Sequence, residues 1–248
     1  MKTGLIVGTG MGDLAADTEW REVSTPYGSA CTANTMLGGK EIVLLRRHGP
    51  GLNVPPHLIN YRANMSAVRD AGVKCVLSTA AVGSLSKDLK PGDLAVIHDF
   101  IDFTKRREST ILDKPGASVV HIDFSEPYCP VLSSAMEHAA VELGIGLARK
   151  VVYVCVDGPR YETPAEIRMF TLWGGDVIGM TGVPEVVIAR ELGMCYASLA
   201  IVTNYGAGIS EHALSHQAVV DMVARRCKDV CAIIEQTLSS LPETDDCC

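Results

Sequence analysis

Short apolar runs and longer amphipathic stretches alternate along the chain. The apolar runs fall at residues 5–7, 42–45, 73–77, 94–97, 151–156, 177–178 and 195–202. Several are continuous rather than alternating, which is the pattern of strands covered on both faces. Between them, residues 58–71, 130–143, 164–173, 184–192 and 215–239 read as helices. In the last, Ala218, Val219, Met222, Val223, Val230 and Ile233 keep helical spacing. Strands alternating with helices predict an α/β fold with a central sheet flanked by helices. Pro and Gly are scattered as turn punctuation, with no repeat, linker or low-complexity segment, so residues 1–248 read as a single domain. The acidic end, 243–248, reads as a flexible tail.

The ends of the apolar runs carry the chemistry. The first run enters "GLIVGTGMGD" at 4–13, with glycines at positions 8, 10 and 12. A dinucleotide fingerprint needs different spacing at its third glycine and a full helix after it, whereas residues 13–17 leave room for barely one turn before 20–23 looks extended again. A tight turn, or a loop offering N–H groups and the Thr9 hydroxyl to a small oxyanion, remains. The oxyanion reading asks for a cation, and "LLRRHGPG" supplies Arg47 and His48 where the second run stops. Arginine there offers a permanently charged fork for phosphate or carboxylate; Arg46 reads as surface charge. Thr79, Ala80, Ala81 and Gly83 follow the third run, Met180 and Thr181 follow 177–178, and Thr203 and Asn204 end the longest run. Small or polar residues at several strand ends predict one shared pocket.

Composition narrows the partners. With 22 Lys and Arg against 29 Asp and Glu, the formal charge is −7, which argues against nucleic acid or an anionic membrane surface but leaves room for a small anion. No apolar run approaches the roughly 18 residues a bilayer span needs, and no leader pattern opens the chain, so a soluble cytoplasmic protein is expected. There are nine cysteines. Cys75, Cys155 and Cys195 sit in apolar runs and read as small buried hydrophobes, no set has zinc-ligand spacing, and a redox role for Cys247 and Cys248 is left open.

Taken in order, Gly8-Thr9-Gly10, Arg47-His48-Gly49, "PPHLINYRAN" (55–64), "AVGSL" (81–85), "PGDL" (91–94), "HIDFSEPYCP" (121–130), "DGPRYET" (157–163), "GMTGVPEVVIARELG" (179–193) and "TNYG" (203–206) span nearly the whole chain. Together they resemble the trimeric purine nucleoside phosphorylase and methylthioadenosine phosphorylase family. The resemblance implies a single α/β domain with a mixed, partly barrel-like sheet. It implies reversible phosphorolysis: purine nucleoside plus inorganic phosphate gives free base and ribose 1-phosphate, with no cofactor or metal. By the same resemblance Thr9, Arg47, His48, Ala81 and Thr181 hold phosphate. Position 80 departs from the pattern, since relatives usually carry Thr or Asn where this chain has Ala80, so only the backbone donor at Ala81 carries over. Met180 matches the residue lying against the ribose, and Tyr161 the aromatic packed on base or sugar. His121 lies in a segment that in relatives reaches into the neighbouring subunit's site, implying a homotrimer or a dimer of trimers.

Chemistry supports the assignment of roles. Asn204 and His48 are the residues expected to be catalytic: Asn204 donates to the purine as negative charge builds on it, and His48 helps orient phosphate. Glu162 can accept from the N1–H of hypoxanthine or guanine, which adenine lacks. Relatives that handle adenine carry Asp in place of both Asn204 and Gly206, so these positions point to 6-oxopurines. His216 corresponds to a position that is histidine in relatives taking a 5′-hydroxyl and apolar in methylthio-specific ones, although 48–64 has the character of the methylthio branch. Inosine and guanosine are therefore expected, with methylthioinosine or methylthioadenosine as the alternative substrate. A non-catalytic purine-binding protein is the rival of a different class; a nucleosidase using water is another.

Overall fold

The computed structural model describes residues 2–9, 18–113, 116, 119–211 and 214–242. Gly10, Gly12, the 13–17 turn, Cys247, Cys248 and the 243–248 tail lie outside the described residues. Strands β1 (Thr3–Val7), β2 (Arg21–Thr25), β3 (Gly28–Leu37), β4 (Lys40–Arg46), β5 (Cys75–Ser84), β6 (Leu94–Asp102), β7 (Val151–Cys155), β8 (Val177–Gly179) and β9 (Cys195–Tyr205) form one mixed sheet among the described residues. Helices α1 (Tyr61–Asp70), α2 (Pro130–Glu142), α3 (Pro164–Leu172), α4 (Gly182–Glu191) and α5 (His216–Ser240) cover it.

The sheet is open at one end and closed at the other. Its order is β2-β3-β4-β1-β5-β8-β7-β6-β9, and β9 pairs back onto β5, so the last five strands close into a small barrel. β1 runs parallel to both β4 and β5, and β5 parallel to β9. Both faces are buried, as the continuous apolar runs require. Ile6, Val76 and Val82 pack into one core with Met65, Val68, Val186 and Ile188 from α1 and α4. Leu5, Val7 and Leu77 turn the other way, into a second core with Leu132, Met136, Val223, Val230 and Ile233 from α2 and α5. Cys75, Cys155 and Cys195 are buried in these cores. A third, smaller cluster packs Ile167 and Phe170 of α3 against Leu85, Val154 and Ile178.

The five helices lie where helical spacing and proline starts put them. Asn60 caps α1 by accepting from Ala63 N–H at 3.0 Å, and Thr163 with Glu166 forms a capping box on α3. Within the β2–β3 hairpin, the extended look of 20–23 announces only the start of β2, and nothing in the pattern announces β3. β3 carries Ser29, Thr32, Asn34 and Thr35, and β2 is largely exposed at the sheet edge, so neither reads as an apolar run.

β5 is the pivot of the architecture. One of its edges pairs with β9 from Cys75 to Ser84. The other pairs with β1 from Cys75 to Ser78 and then with β8 at Gly83 and Ser84. Between those two neighbours, Thr79–Val82 face no strand on that edge among the described residues. The ends of β1 and β8 therefore meet over an open stretch of β5 backbone.

Candidate active site

A cavity of about 590 Å³ lies over this open stretch. Thr9 enters it from the end of β1, Arg47 and His48 from the end of β4, Ala81 from β5, and Met180 and Thr181 from the end of β8. Asn204 enters from β9, Tyr161 and Glu162 from the loop before α3, and His216 from the first turn of α5. Ten of the expected site residues thus share one cavity wall. Gly206 and His121 do not line it. Gly206 N–H donates to Ser84 O at 2.8 Å, and a Cβ there would sit 2.8 Å from Ile167 Cδ1. His121 is exposed, outside the cavity.

Arg47 is buried, at 3% exposure, and its fork is tied down. Nε and Nη2 donate to the two carboxylate oxygens of Glu185, each at 2.8 Å, and Nη1 donates to Thr79 O at 2.9 Å. Thr79 O is free to accept because the open edge of β5 gives it no strand partner. Of the five guanidinium N–H groups, one on each terminal nitrogen is left over. Burial alone would depress the ionisation of Arg47, but the charge and hydrogen bonds of Glu185 hold the guanidinium firmly protonated. Glycine is required at position 8, because a Cβ there would fall 2.5 Å from Arg47 Nη1. Backbone direction alternates along a strand. Ala81 N–H therefore points the same way as Thr79 O, into the cavity.

Glu185 is fully buried on the first turn of α4. It also accepts from Tyr196 O–H at 2.5 Å, and Tyr196 is in hydrogen-bond contact with Ser78 Oγ at 2.8 Å. A continuous polar chain thus runs beneath the cavity floor: Ser78, Tyr196, Glu185, Arg47. Sequence reasoning missed Glu185 and Tyr196. Glu185 reads as an ordinary acid in the first turn of a proline-led helix; the available signal was its place in an otherwise apolar segment, "GVPEVVIA", where a buried carboxylate demands a cation.

Arg107 was missed as well. Its buried guanidinium donates to Met180 O at 2.6 Å, Val183 O at 2.7 Å and Asp157 O at 2.9 Å. It pins the Met180 turn to the loop that carries Tyr161 and Glu162. No periodicity in its loop marks it.

His48 is clamped twice by Val54: Val54 N–H donates to His48 O at 3.1 Å, and the ring Nδ1 lies 2.8 Å from Val54 O. A carbonyl can only accept, so Nδ1 carries the proton and Nε2 is left to the cavity. Burial lowers the His48 pKa, and nearby Arg47 lowers it further, outweighing the Val54 bond and Glu185. Thr181 N–H and Gly182 N–H donate to Tyr153 O–H at 3.1 and 3.2 Å, which fixes the turn and leaves the Thr181 hydroxyl without a capping role.

At the other end, Glu162 is 8% exposed, and burial raises its pKa, with Glu166 adding to the rise and Arg160 opposing it. Asn204 Nδ2 donates to Tyr205 O at 2.9 Å, and its Oδ1 accepts from the Thr203 hydroxyl at 2.8 Å. The amide is thereby oriented with one N–H left to give. His216, Val219 and Val220 of α5 also line the cavity, as does Leu52 from the loop after His48.

A guanidinium at a sheet edge, sharing one cavity with a buried carboxylate and an oriented amide, is an arrangement suited to a group-transfer enzyme. The chain belongs to the phosphorylase superfamily, whose family model matches residues 2–239. It is 45% identical over its full length, and 94% of the relative's, to a probable 6-oxopurine nucleoside phosphorylase of Dictyoglomus turgidum. Identity is 42% to the 6-oxopurine nucleoside phosphorylase of Pyrococcus furiosus (99% of this chain, 95% of the relative). It is 44%, with the same coverage, to a probable S-methyl-5′-thioinosine phosphorylase of Methanopyrus kandleri. Among solved structures, a mutant adenosine/methylthioadenosine phosphorylase of Schistosoma mansoni in complex with methylthioadenosine superposes with a TM-score of 0.90 at 32% identity, covering 96% of this chain and 91% of that one.

Proposed function

We propose that the chain catalyses reversible phosphorolysis of purine nucleosides with a preference for 6-oxopurines, releasing free base and ribose 1-phosphate in purine salvage. The observation that carries this reading is the shared cavity, which joins the Arg47 cradle at one end to Glu162 and Asn204 at the other. A phosphate oxygen forms a bond to the anomeric carbon while the bond from that carbon to the purine nitrogen breaks, its electron pair leaving with the base. The hydrogen carried by monohydrogen phosphate ends on the purine, so the reaction balances without a cofactor, metal or covalent enzyme intermediate.

Each residue has a role that its geometry supports. Arg47, with two N–H groups remaining, Thr9, Thr181 and Ala81 N–H orient phosphate beneath the sugar, and Met180 packs against the ribose. Tyr161 lies against base or sugar. The Glu162 carboxylate accepts from N1–H, and Asn204 Nδ2–H meets the charge that develops on the departing ring. Preorganised donors of this kind are worth about 3 kcal/mol each in the transition state. The test is inosine cleavage with and without phosphate: turnover is expected only with phosphate, and hydrolysis at an equal rate in its absence would overturn the reading.

A second substrate reading has its own observation. Val219, Val220 and Leu52 give the wall around His216 an apolar character suited to a 5′-methylthio group, while His216 suits a 5′-hydroxyl. Assaying inosine, guanosine, adenosine, methylthioinosine and methylthioadenosine side by side separates the two.

We further propose a cytoplasmic homotrimer, with a dimer of trimers as its larger form. Val119 is 82% exposed and lies with exposed Val120 and His121 in a segment suited to cover by a second copy, which would bring His121 to the neighbouring cavity. Among the described residues no helix is long and apolar enough to cross a membrane.

A further inference from the structure

Resting on the phosphorolytic reading, we propose that the anion subsite sorts oxyanions by whether they carry a hydroxyl. It takes phosphate through its P–OH and turns away anions of the same shape and charge that lack one. The argument starts from His48. With Nδ1–H committed to Val54 O at 2.8 Å, the neutral ring presents a lone pair at Nε2. Turning the ring to offer its N–H to the cavity would give up the bond to Val54 O, and the Val54 N–H bond to the His48 carbonyl keeps that acceptor beside the ring.

Charge does not compensate. The one guanidinium on the cavity wall is already matched, oxygen for nitrogen, by Glu185. Among the described residues no other Lys or Arg lines the cavity, and residues 10–17, "GMGDLAAD", contain neither. The remaining titratable groups on the wall are Tyr161, Glu162 and His216. Burial is the largest influence on His48 and discourages its proton; the bond to Val54 O opposes it, while Arg47 and Glu185 act more weakly and in opposite senses. A fully deprotonated tetrahedral anion would therefore set an oxygen lone pair against a nitrogen lone pair. Phosphate escapes this by donating its hydroxyl to Nε2, which parks the proton at one corner and leaves the other oxygens bare for the donors and for attack.

Sulfate and monofluorophosphate test this, because both are dianions of phosphate's size without a hydroxyl. Titration calorimetry at about pH 8 should show each binding about 10- to 100-fold more weakly than inorganic phosphate, the cost of an unsatisfied buried acceptor. The gap should narrow only once the pH falls below the ordinary histidine range, because burial holds His48 neutral through it; there the ring takes a proton and becomes a donor. In His48→Gln, whose amide can turn to donate, the gap at about pH 8 should close to within a few-fold. Sulfate or monofluorophosphate binding as tightly as phosphate to the unsubstituted protein, or a gap that ignores pH, overturns the proposal. The phosphorolytic reading fails separately, on phosphate-independent cleavage of inosine.

Discussion

Glu162 does two things that pull against each other. In the proposed reading its carboxylate must be charged to accept from a 6-oxopurine, yet it sits where burial resists that charge. An acid whose pKa is raised on folding costs stability once the pH passes its unfolded value, and that cost is complete above the folded pKa. Glu162→Gln is therefore expected to melt at or slightly above the temperature of the unsubstituted protein at pH near 8, while losing about 10- to 1000-fold in kcat/KM for inosine. The same shift places the acid limb of the kcat/KM profile above the usual glutamate range, since activity falls as the pH drops through the raised pKa. A limb at the position of an exposed glutamate would contradict this.

Asn204 makes a second residue-scale prediction. Asn204→Asp removes the one free N–H and places a carboxylate beside the Tyr205 carbonyl, so the ratio of adenosine to inosine turnover should rise, chiefly because inosine turnover falls. A ratio that stays put would contradict the assignment. Asp at position 206 is a poor companion in this chain. Any Cβ there meets Ile167 at 2.8 Å and Ser84 O at 3.1 Å, so that change would disturb α3 as well as the cavity.

At the scale of elements, α4 and β4 are joined by a buried ion pair, Glu185 with Arg47, backed by Tyr196 of β9. Removing one partner of such a pair strands the other charge in the interior at a cost of about 3–5 kcal/mol. Glu185→Ala should show that loss in chemical denaturation, and Glu185→Gln, which keeps an acceptor for the fork, should show less of it. The pair also explains why part of the site was legible in the chain and part was not. Strand ends carrying Thr9, Arg47, Thr181 and Asn204 stand out because a polar residue interrupts an apolar run. Glu185 and Arg107 act through contacts with residues distant in sequence, and nothing local marks a carboxylate or guanidinium as buried. The same holds for β3, whose one-sided burial leaves no apolar run, while β2 showed only as the extended look of 20–23. Both faces of β1, β5 and β9 are covered, so their runs were plain.

Over the whole molecule, ligand binding and stability are linked. An anion that binds only the folded chain at 100 times its Kd stabilises it by about 2.7 kcal/mol. For a domain of this size that corresponds to a rise in Tm on the order of 5–10 °C. A thermal scan with and without inorganic phosphate should show it, and His48→Ala should lose most of it. Light scattering is expected to give three or six times the chain mass of 26.5 kDa; a monomer at micromolar concentration would remove the basis for a role of His121 in a neighbour's cavity.

The two neighbours that share one edge of β5 belong to different parts of the fold, β1 to the open sheet and β8 to the barrel. Between Ser78 and Gly83 no main-chain ladder among the described residues stitches those parts together, so in the proposed reading a bound oxyanion becomes the missing rung. The amide of Ala81 should then trade its hydrogen for deuterium quickly in the empty protein and slowly once the rung is in place, while amides on the β9 side stay slow throughout.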